Sequence, residues 1–225
     1  MTWIKICGTT NLEDALMCAE AGADALGFVF AESKRKVDAT AAAEIARKLP
    51  RRVEKVGVFT DQSPNEIKQT VEKVGLTSVQ LHAELSLKRH REILQSMQVY
   101  GVGVIEVRRL PDLPSLDTRE RLFAIKFAKP RALLLDSADP KLAGGTGKRF
   151  VWDKWGDQII PLKRVFPHLI IAGGLSPENV EEAVNCFDPF GVDVASGVER
   201  EPGKKDPAKV KAFIQAVREA DAHKS

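Results

Sequence analysis

The chain has 225 residues, with 34 Lys and Arg against 31 Asp and Glu interleaved along it, for a formal net charge of +3. That length admits one large domain or two small ones, and the mild basicity suits an anionic small molecule while lacking the clustered cations and interleaved aromatics of a nucleic-acid surface. Three widely spaced cysteines, Cys7, Cys18 and Cys186, have no metal-ligand spacing and read as reduced thiols; with no apolar signal core and no run long enough to span a membrane, a cytoplasmic protein is the expectation.

In chain order, apolar runs rich in strand formers fall near residues 3 to 7, 24 to 30, 53 to 59, 77 to 82, 99 to 106, 131 to 136, 168 to 172 and 190 to 195. Helical patterns separate them. Thr10 with Glu13 predicts a capping box ahead of a first helix closed by Gly22. Ser63-Pro64-Asn65-Glu66 predicts a similar start, with proline at the first helical position and Gly75 at the end. Ser176-Pro177 and Asp206-Pro207 predict two more. The weakest helical patterns are residues 108 to 130, where Pro111 and Pro114 break any long helix, and the short segment from Trp152 to Phe166. No linker or change of composition divides the chain. Eight strand-helix units without a boundary predict an α/β protein with a single (β/α)8 barrel domain over residues 1–225, a TIM barrel, rather than an open doubly wound sheet.

A strand alternates its side chains between two faces, so Ile4 and Ile6 share one face of the first strand and Lys5 and Cys7 the other, while Leu133 and Leu135 oppose Leu134 and Asp136. Val79 and Leu81 alternate with Ser78, Gln80 and His82, and Val192 and Val194 with Asp193. In a barrel the outer face packs on helices and is apolar, whereas the inner face near the carboxyl ends carries polar groups. Four strands agree in placing their polar residues inside. A thiol at the end of one strand, Cys7, and an acid at the end of another, Asp136, can both move protons where such an enzyme places its chemistry. Lys5 shares the face of Cys7; it either lowers the thiol pKa or pairs with an interior carboxylate such as Asp193.

Gly173-Gly174-Leu175 after the seventh strand and Ser196-Gly197 after the eighth fit a phosphate cradle, because glycines let backbone N–H groups approach an anion closely and a helix start at Ser176-Pro177 would stand behind them. Gly144-Gly145-Thr146-Gly147-Lys148 fails the nucleotide P-loop pattern, since Leu142 holds the first required glycine position and Arg149 the hydroxyl position. Taken singly, each candidate has a plainer reading. Glycine pairs make tight turns, a strand-end Asp caps helices, and a strand Cys is often an inert core residue. Arg35 within Lys34-Arg35-Lys36 reads as a solvated cluster, and His82 as a core histidine.

The motifs form an ordered set that begins with Lys5-Ile6-Cys7-Gly8 with Asn11-Leu12-Glu13-Asp14-Ala15, Gly27-Phe28-Val29-Phe30 with Ser33-Lys34-Arg35, Val79-Gln80-Leu81-His82 and Leu134-Leu135-Asp136. It continues with Gly144-Gly145-Thr146-Gly147, Gly173-Gly174-Leu175 with Pro177-Glu178-Asn179-Val180, Val192-Asp193-Val194 with Ser196-Gly197-Val198-Glu199, and Pro202-Gly203-Lys204-Lys205-Asp206. This ordered set resembles the phosphoribosylanthranilate isomerase family of tryptophan biosynthesis. The resemblance implies an Amadori rearrangement of N-(5-phosphoribosyl)anthranilate without cofactor or metal, acting on a phosphorylated small molecule and on neither nucleic acid nor membrane. It makes Asp136 the general acid, Cys7 the general base and Arg35 the holder of the anthranilate carboxylate, roles that suit a carboxylic acid, a thiolate and a guanidinium fork. Gly144, Gly145, Gly173, Gly174, Ser196 and Gly197 join the substrate-binding set, with Gln80, His82 and Asp193 lining the site.

Ala83, Ser137, Val151 and Ala195 depart from the family pattern; Ala195 leaves the phosphate to backbone amides. Two other readings stand beside this one. The related Amadori isomerase of histidine biosynthesis typically carries aspartate where this chain has Cys7, and a non-catalytic phosphate binder would have no use for the acid and the thiol.

Overall fold

Strand β1 (Trp3–Cys7) pairs in parallel with β2 (Ala25–Val29) on one side and with β8 (Gly191–Val194) on the other, and this second pairing closes the sheet. Strands β3 (Glu54–Phe59), β4 (Ser78–Leu81), β5 (Gly103–Arg109), β6 (Ala132–Asp136) and β7 (Leu169–Ala172) follow in sequence order, so the sheet is a closed eight-stranded parallel barrel. The computed structural model describes residues 1–82, 86–110, 130–137 and 156–223. Among these, seven α-helices surround the barrel: α1 (Leu12–Ala21), α2 (Ala39–Lys48), α3 (Pro64–Val74), α4 (Leu87–Val99), α5 (Gly156–Val165), α6 (Val180–Phe187) and α7 (Pro207–Ala222). Most of the 108 to 130 stretch lies outside the described residues. Of the segment from Trp152 to Phe166, residues 152–155 lie outside the described residues and the rest opens with α5, with Pro161 inside it.

Side-chain parity holds strand by strand. Ile4, Ile6, Val79, Leu81, Leu133, Leu135, Val192 and Val194 join one buried cluster with helix residues such as Ala15, Ile67, Val184 and Phe213. The opposite faces fill the barrel: Ala25, Val56, Ile105, Val107, Ala132, Leu134, Ile170 and Ala172 form an apolar plug, and Cys7, Val29 and Val58 lie in a separate interior cluster. A parallel strand buried on both faces needs apolar residues outward, and the inner face is then left to supply the site.

Local details differ from expectation in three places. Helix α1 is capped by Asn11, whose side chain accepts from Asp14 N at 2.8 Å, and not by Thr10; the Thr10 hydroxyl is turned away to donate to Gly203 O at 2.5 Å. An amide oxygen is as good an N-cap as a hydroxyl, and tertiary contact took the hydroxyl. Strand β5 begins at Gly103 rather than near residue 99, because α4 runs to Val99 and Gly101 turns the chain at φ 67°. Helix α6 begins at Val180, after a turn in which Asn179 Oδ1 accepts from Ser176 N at 2.8 Å, so Ser176-Pro177 opens a loop and not the helix itself. The Ser63–Glu66 capping box, the left-handed Gly22 and Gly75 ends, and the Asp206-Pro207 start all form as expected.

One feature had no counterpart in the predicted elements. Between β8 and α7 the chain makes a 3-10 turn (Ser196–Val198) and then an antiparallel pair, β9 (Glu199–Glu201) with β10 (Lys204–Lys205). This strap folds back over the loops that follow β1 and β2.

Candidate active site

At the carboxyl ends of the strands a cavity of about 430 Å³ opens to solvent. Cys7, Arg35, Gln80, His82, Asp136, Gly173, Gly174, Asp193 and Ser196 all line it, together with Thr60, Glu32 and Ser33, to which sequence reasoning had given no role. Its volume falls in the range of small-molecule sites. Gly197 is not a lining residue. A Cβ there would run into the Leu175 carbonyl, so Gly197 is where the loops after β7 and β8 touch. Gly144 and Gly145 lie outside the described residues, as do Ala83 and Val151.

Cys7 ends β1 next to Gly27, whose absent side chain makes room for the thiol: a Cβ at that position would stand 2.7 Å from Sγ and 3.1 Å from Lys5 Cε. Lys5 is fully buried, and its Nζ lies 2.8 Å from Asp193 Oδ1 on the neighbouring strand, where register makes the two residues partners. Burial pulls the Lys5 ammonium toward neutrality, but Asp193 and the nearby thiol outweigh it and hold the lysine charged. For Cys7 the balance differs. Burial pushes its thiol up, Lys5 pulls it down, and burial wins, so the expected lowering by Lys5 is present without deciding the outcome.

Asp136 stands three strands round the ring from Cys7, with its side chain one-quarter exposed at 25%. His82 Nε2 is 4.0 Å from Asp136 Oδ2, too far for a direct hydrogen bond, and burial depresses the His82 pKa against the opposing pull of Asp136. His82, with its side chain 36% exposed, lines the cavity and is not an enclosed core histidine. Gln80, which lines the same cavity, carries a buried Oε1 with no hydrogen-bond partner among the described residues.

Gly173 and Gly174 both take left-handed backbone, φ 86° and 65°, and a Cβ on Gly173 would overlap Asp136 and Ser137. Only glycine fits there. Asn179 Nδ2 donates to Gly174 O at 2.9 Å and braces the loop in place of the expected helix start.

Arg35 sends Nε and Nη2 to the two oxygens of Glu199 at 2.8 and 2.6 Å. Lys205, wholly buried, donates from Nζ to Glu199 Oε1 at 3.0 Å and to Cys7 O at 2.6 Å. Neither Glu199 nor Lys205 had been assigned a role. The turn-forming Pro202-Gly203 between charged triplets was the signal that these residues face each other across a hairpin. Among the described residues no cluster of three or more His, Cys, Asp or Glu is placed to hold a metal ion, and no helix is long and apolar enough to cross a membrane.

The profile of the N-(5'-phosphoribosyl)anthranilate isomerase family matches residues 4–216. The chain belongs to this family. The isomerase of Chlorobaculum tepidum is 44% identical over 223 residues, covering 98% of this chain and 97% of its own. The crystal structure of phosphoribosyl anthranilate isomerase from Thermotoga maritima superposes with a TM-score of 0.82 at 40% identity, covering 97% of this chain and all of that one. A phosphoribosyl anthranilate isomerase solved in complex with reduced 1-(o-carboxyphenylamino)-1-deoxyribulose 5-phosphate superposes at 0.79 with 37% identity, over 97% of this chain and 100% of that chain. Membership in the isomerase family agrees with the ordered motifs and with the barrel.

Proposed function

We infer that the protein isomerises N-(5-phosphoribosyl)anthranilate to 1-(2-carboxyphenylamino)-1-deoxyribulose 5-phosphate in tryptophan biosynthesis, with Asp136 as general acid and Cys7 as general base. The observation that carries the residue roles is that a thiol and a carboxyl from strands three apart line one cavity whose other walls are a guanidinium and paired left-handed glycines. Asp136 gives its proton to the furanose ring oxygen as the anilino nitrogen lone pair forms C1=N and the C1–O4 bond breaks. The thiolate of Cys7 then takes the C2 proton, and the C–H electron pair forms C1=C2 while the C1=N pair returns to nitrogen. The resulting enaminol tautomerises: its hydroxyl proton is lost, C1 gains one, and C2 becomes a ketone. Return of the proton from Cys7 to Asp136 by way of solvent resets the pair. No electron leaves the substrate.

Burial keeps Cys7 a thiol before substrate binds; the iminium formed by ring opening places a positive charge beside it that favours loss of the thiol proton to solvent, and the thiolate so formed is a strong acceptor for a carbon-bound proton. Arg35 receives the anthranilate carboxylate; the amides of Gly173, Gly174 and Ser196 receive the phosphate, held against each other through Gly197; Gln80, His82 and Asp193 complete the wall. Gly144 and Gly145 belong to the same substrate-binding set. We further propose that residues 1–225 work as one barrel domain in the cytoplasm, where the thiols stay reduced.

The test is turnover. Protein dialysed against EDTA should consume phosphoribosylanthranilate, read as loss of its fluorescence, at the rate of untreated protein. Loss of activity restored by a divalent ion would contradict a mechanism run by Cys7 and Asp136 alone.

A further inference from the structure

We propose that Glu199 and Lys205 are positioning residues for Arg35: they fix the direction of its guanidinium and leave the cluster with the net positive charge a carboxylate requires. The inference rests on the reading that Arg35 receives the anthranilate carboxylate.

Both ends of the Arg35 side chain are held. Its stem crosses Gly8, which takes φ 80°, and a Cβ there would stand 2.5 Å from Arg35 Cδ. Its head is gripped edge-on by Glu199 through Nε and Nη2 at 2.8 and 2.6 Å, the planar fork-to-fork geometry that sets direction as well as contact. A guanidinium has five N–H groups, so three remain for a ligand in the cavity that Arg35 lines.

An Arg–Glu pair alone has no net charge and would be a poor receptor for an anion. Lys205 changes the sum. Its ammonium, 3.0 Å from Glu199 Oε1, also donates to Cys7 O at 2.6 Å and Ala195 O at 3.3 Å, so its three donors are occupied and it cannot swing away. Burial works against the Glu199 charge, yet Arg35 and Lys205 together hold its carboxyl below the usual range. Arg35, Glu199 and Lys205 thus total one positive charge. Their side-chain exposures, 27% for Arg35 against 4% for Glu199 and 0% for Lys205, leave Arg35 as the member that presents it.

The same lysine ties this grip to the chemistry. By bonding the Cys7 carbonyl it pins the end of β1, while Gly203 N donates to Glu199 Oε1 at 3.2 Å and Lys205 N to Asp14 Oδ2 at 2.8 Å. The strap therefore indexes the carboxylate receptor to the strand that carries the base.

The test compares two ligands, the reduced 1-(o-carboxyphenylamino)-1-deoxyribulose 5-phosphate and its phenylamino counterpart without the carboxyl, on wild type, Glu199→Asp, Arg35→Ala and the double variant. Glu199→Asp keeps the charge but draws the carboxylate back by one methylene, so it disturbs orientation alone. A charged hydrogen bond is worth about 10- to 100-fold in affinity, and wild type should prefer the carboxylated ligand by that order. Glu199→Asp should cut this preference by about tenfold without weakening the other ligand, and it should add nothing once Arg35 is Ala. Lys205→Met, checked for folding, should also lower the preference. An unchanged preference in Glu199→Asp, with Arg35→Ala abolishing it, would overturn the positioning role while sparing the carboxylate reading. Equal weakening of both ligands would assign Glu199 to structure alone. A preference that survives Arg35→Ala would overturn the carboxylate reading first, and the positioning role with it.

Discussion

At the scale of single residues, the chemistry turns on how burial and charge compete. Cys7 is buried and its thiol is pushed above the ordinary value near 9, with Lys5 opposing the shift. Iodoacetamide at pH 7 should therefore modify the exposed Cys186 well before Cys7, and Cys7 should gain reactivity only as pH rises toward and beyond 9. Lys5→Met removes the opposing charge and should move that rise to still higher pH. Prompt alkylation of Cys7 at neutral pH, followed by mass spectrometry of the peptides, would contradict this balance. Glu199 gives a stability counterpart. Its folded-state pKa is depressed below 4.5, so the unfolded chain binds the proton more readily, and the stability this contributes is present above pH 4.5 and lost as pH falls through the folded value. The Tm difference between wild type and Glu199→Gln should be largest near neutrality and shrink below pH 4.5; a difference constant with pH would remove the ion pairs from the account.

At the scale of elements, the loops after β7 and β8 act as one unit because Gly197 lets them touch at the Leu175 carbonyl. Gly197→Ala should force them apart, costing about 1 to 3 kcal/mol of stability as overpacking does, and should raise KM for the phosphorylated substrate about tenfold or more with a smaller change in kcat. An unchanged KM would detach the phosphate from these loops. Strand placement and parity were legible in the chain because period-two alternation reports which face meets helices, and Lys5, Cys7, Gln80, Asp136 and Asp193 all follow it. Position within a cap was less legible: Thr10 and Asn11 are both good caps, and the choice between them was made by Gly203, nearly two hundred residues away. The start of β5 was misplaced because Val99 has the side chain of a strand former, and only the turn at Gly101 assigns it to the end of α4. The strap escaped for a related reason. Its partners, Arg35, Cys7 and Asp14, come from the other end of the chain, and no local pattern announces a lysine that will be buried.

At the scale of the whole molecule, the barrel brings the two ends of the chain together on both faces. On the amino-terminal side, Asp221 of α7 accepts from Thr2 N and Oγ1 at 2.8 and 2.6 Å, and Arg218 reaches Thr2 O at 2.6 Å and Asp24 at 3.1 Å. On the carboxyl side, the strap joins β8 to the loops of β1 and β2. Closure is what puts a thiol from β1 and an acid from β6 at one cavity, and the catalytic reading depends on both serving one substrate. The most direct measurement is single-turnover consumption of phosphoribosylanthranilate, followed by its fluorescence, for wild type, Cys7→Ala and Asp136→Asn at saturating enzyme. General acid and base groups contribute about 10² to 10⁴ in rate each, so both variants should slow by at least that order while still binding the reduced product analogue. Turnover within about tenfold of wild type in either variant would contradict the assignment of acid and base on which the account rests.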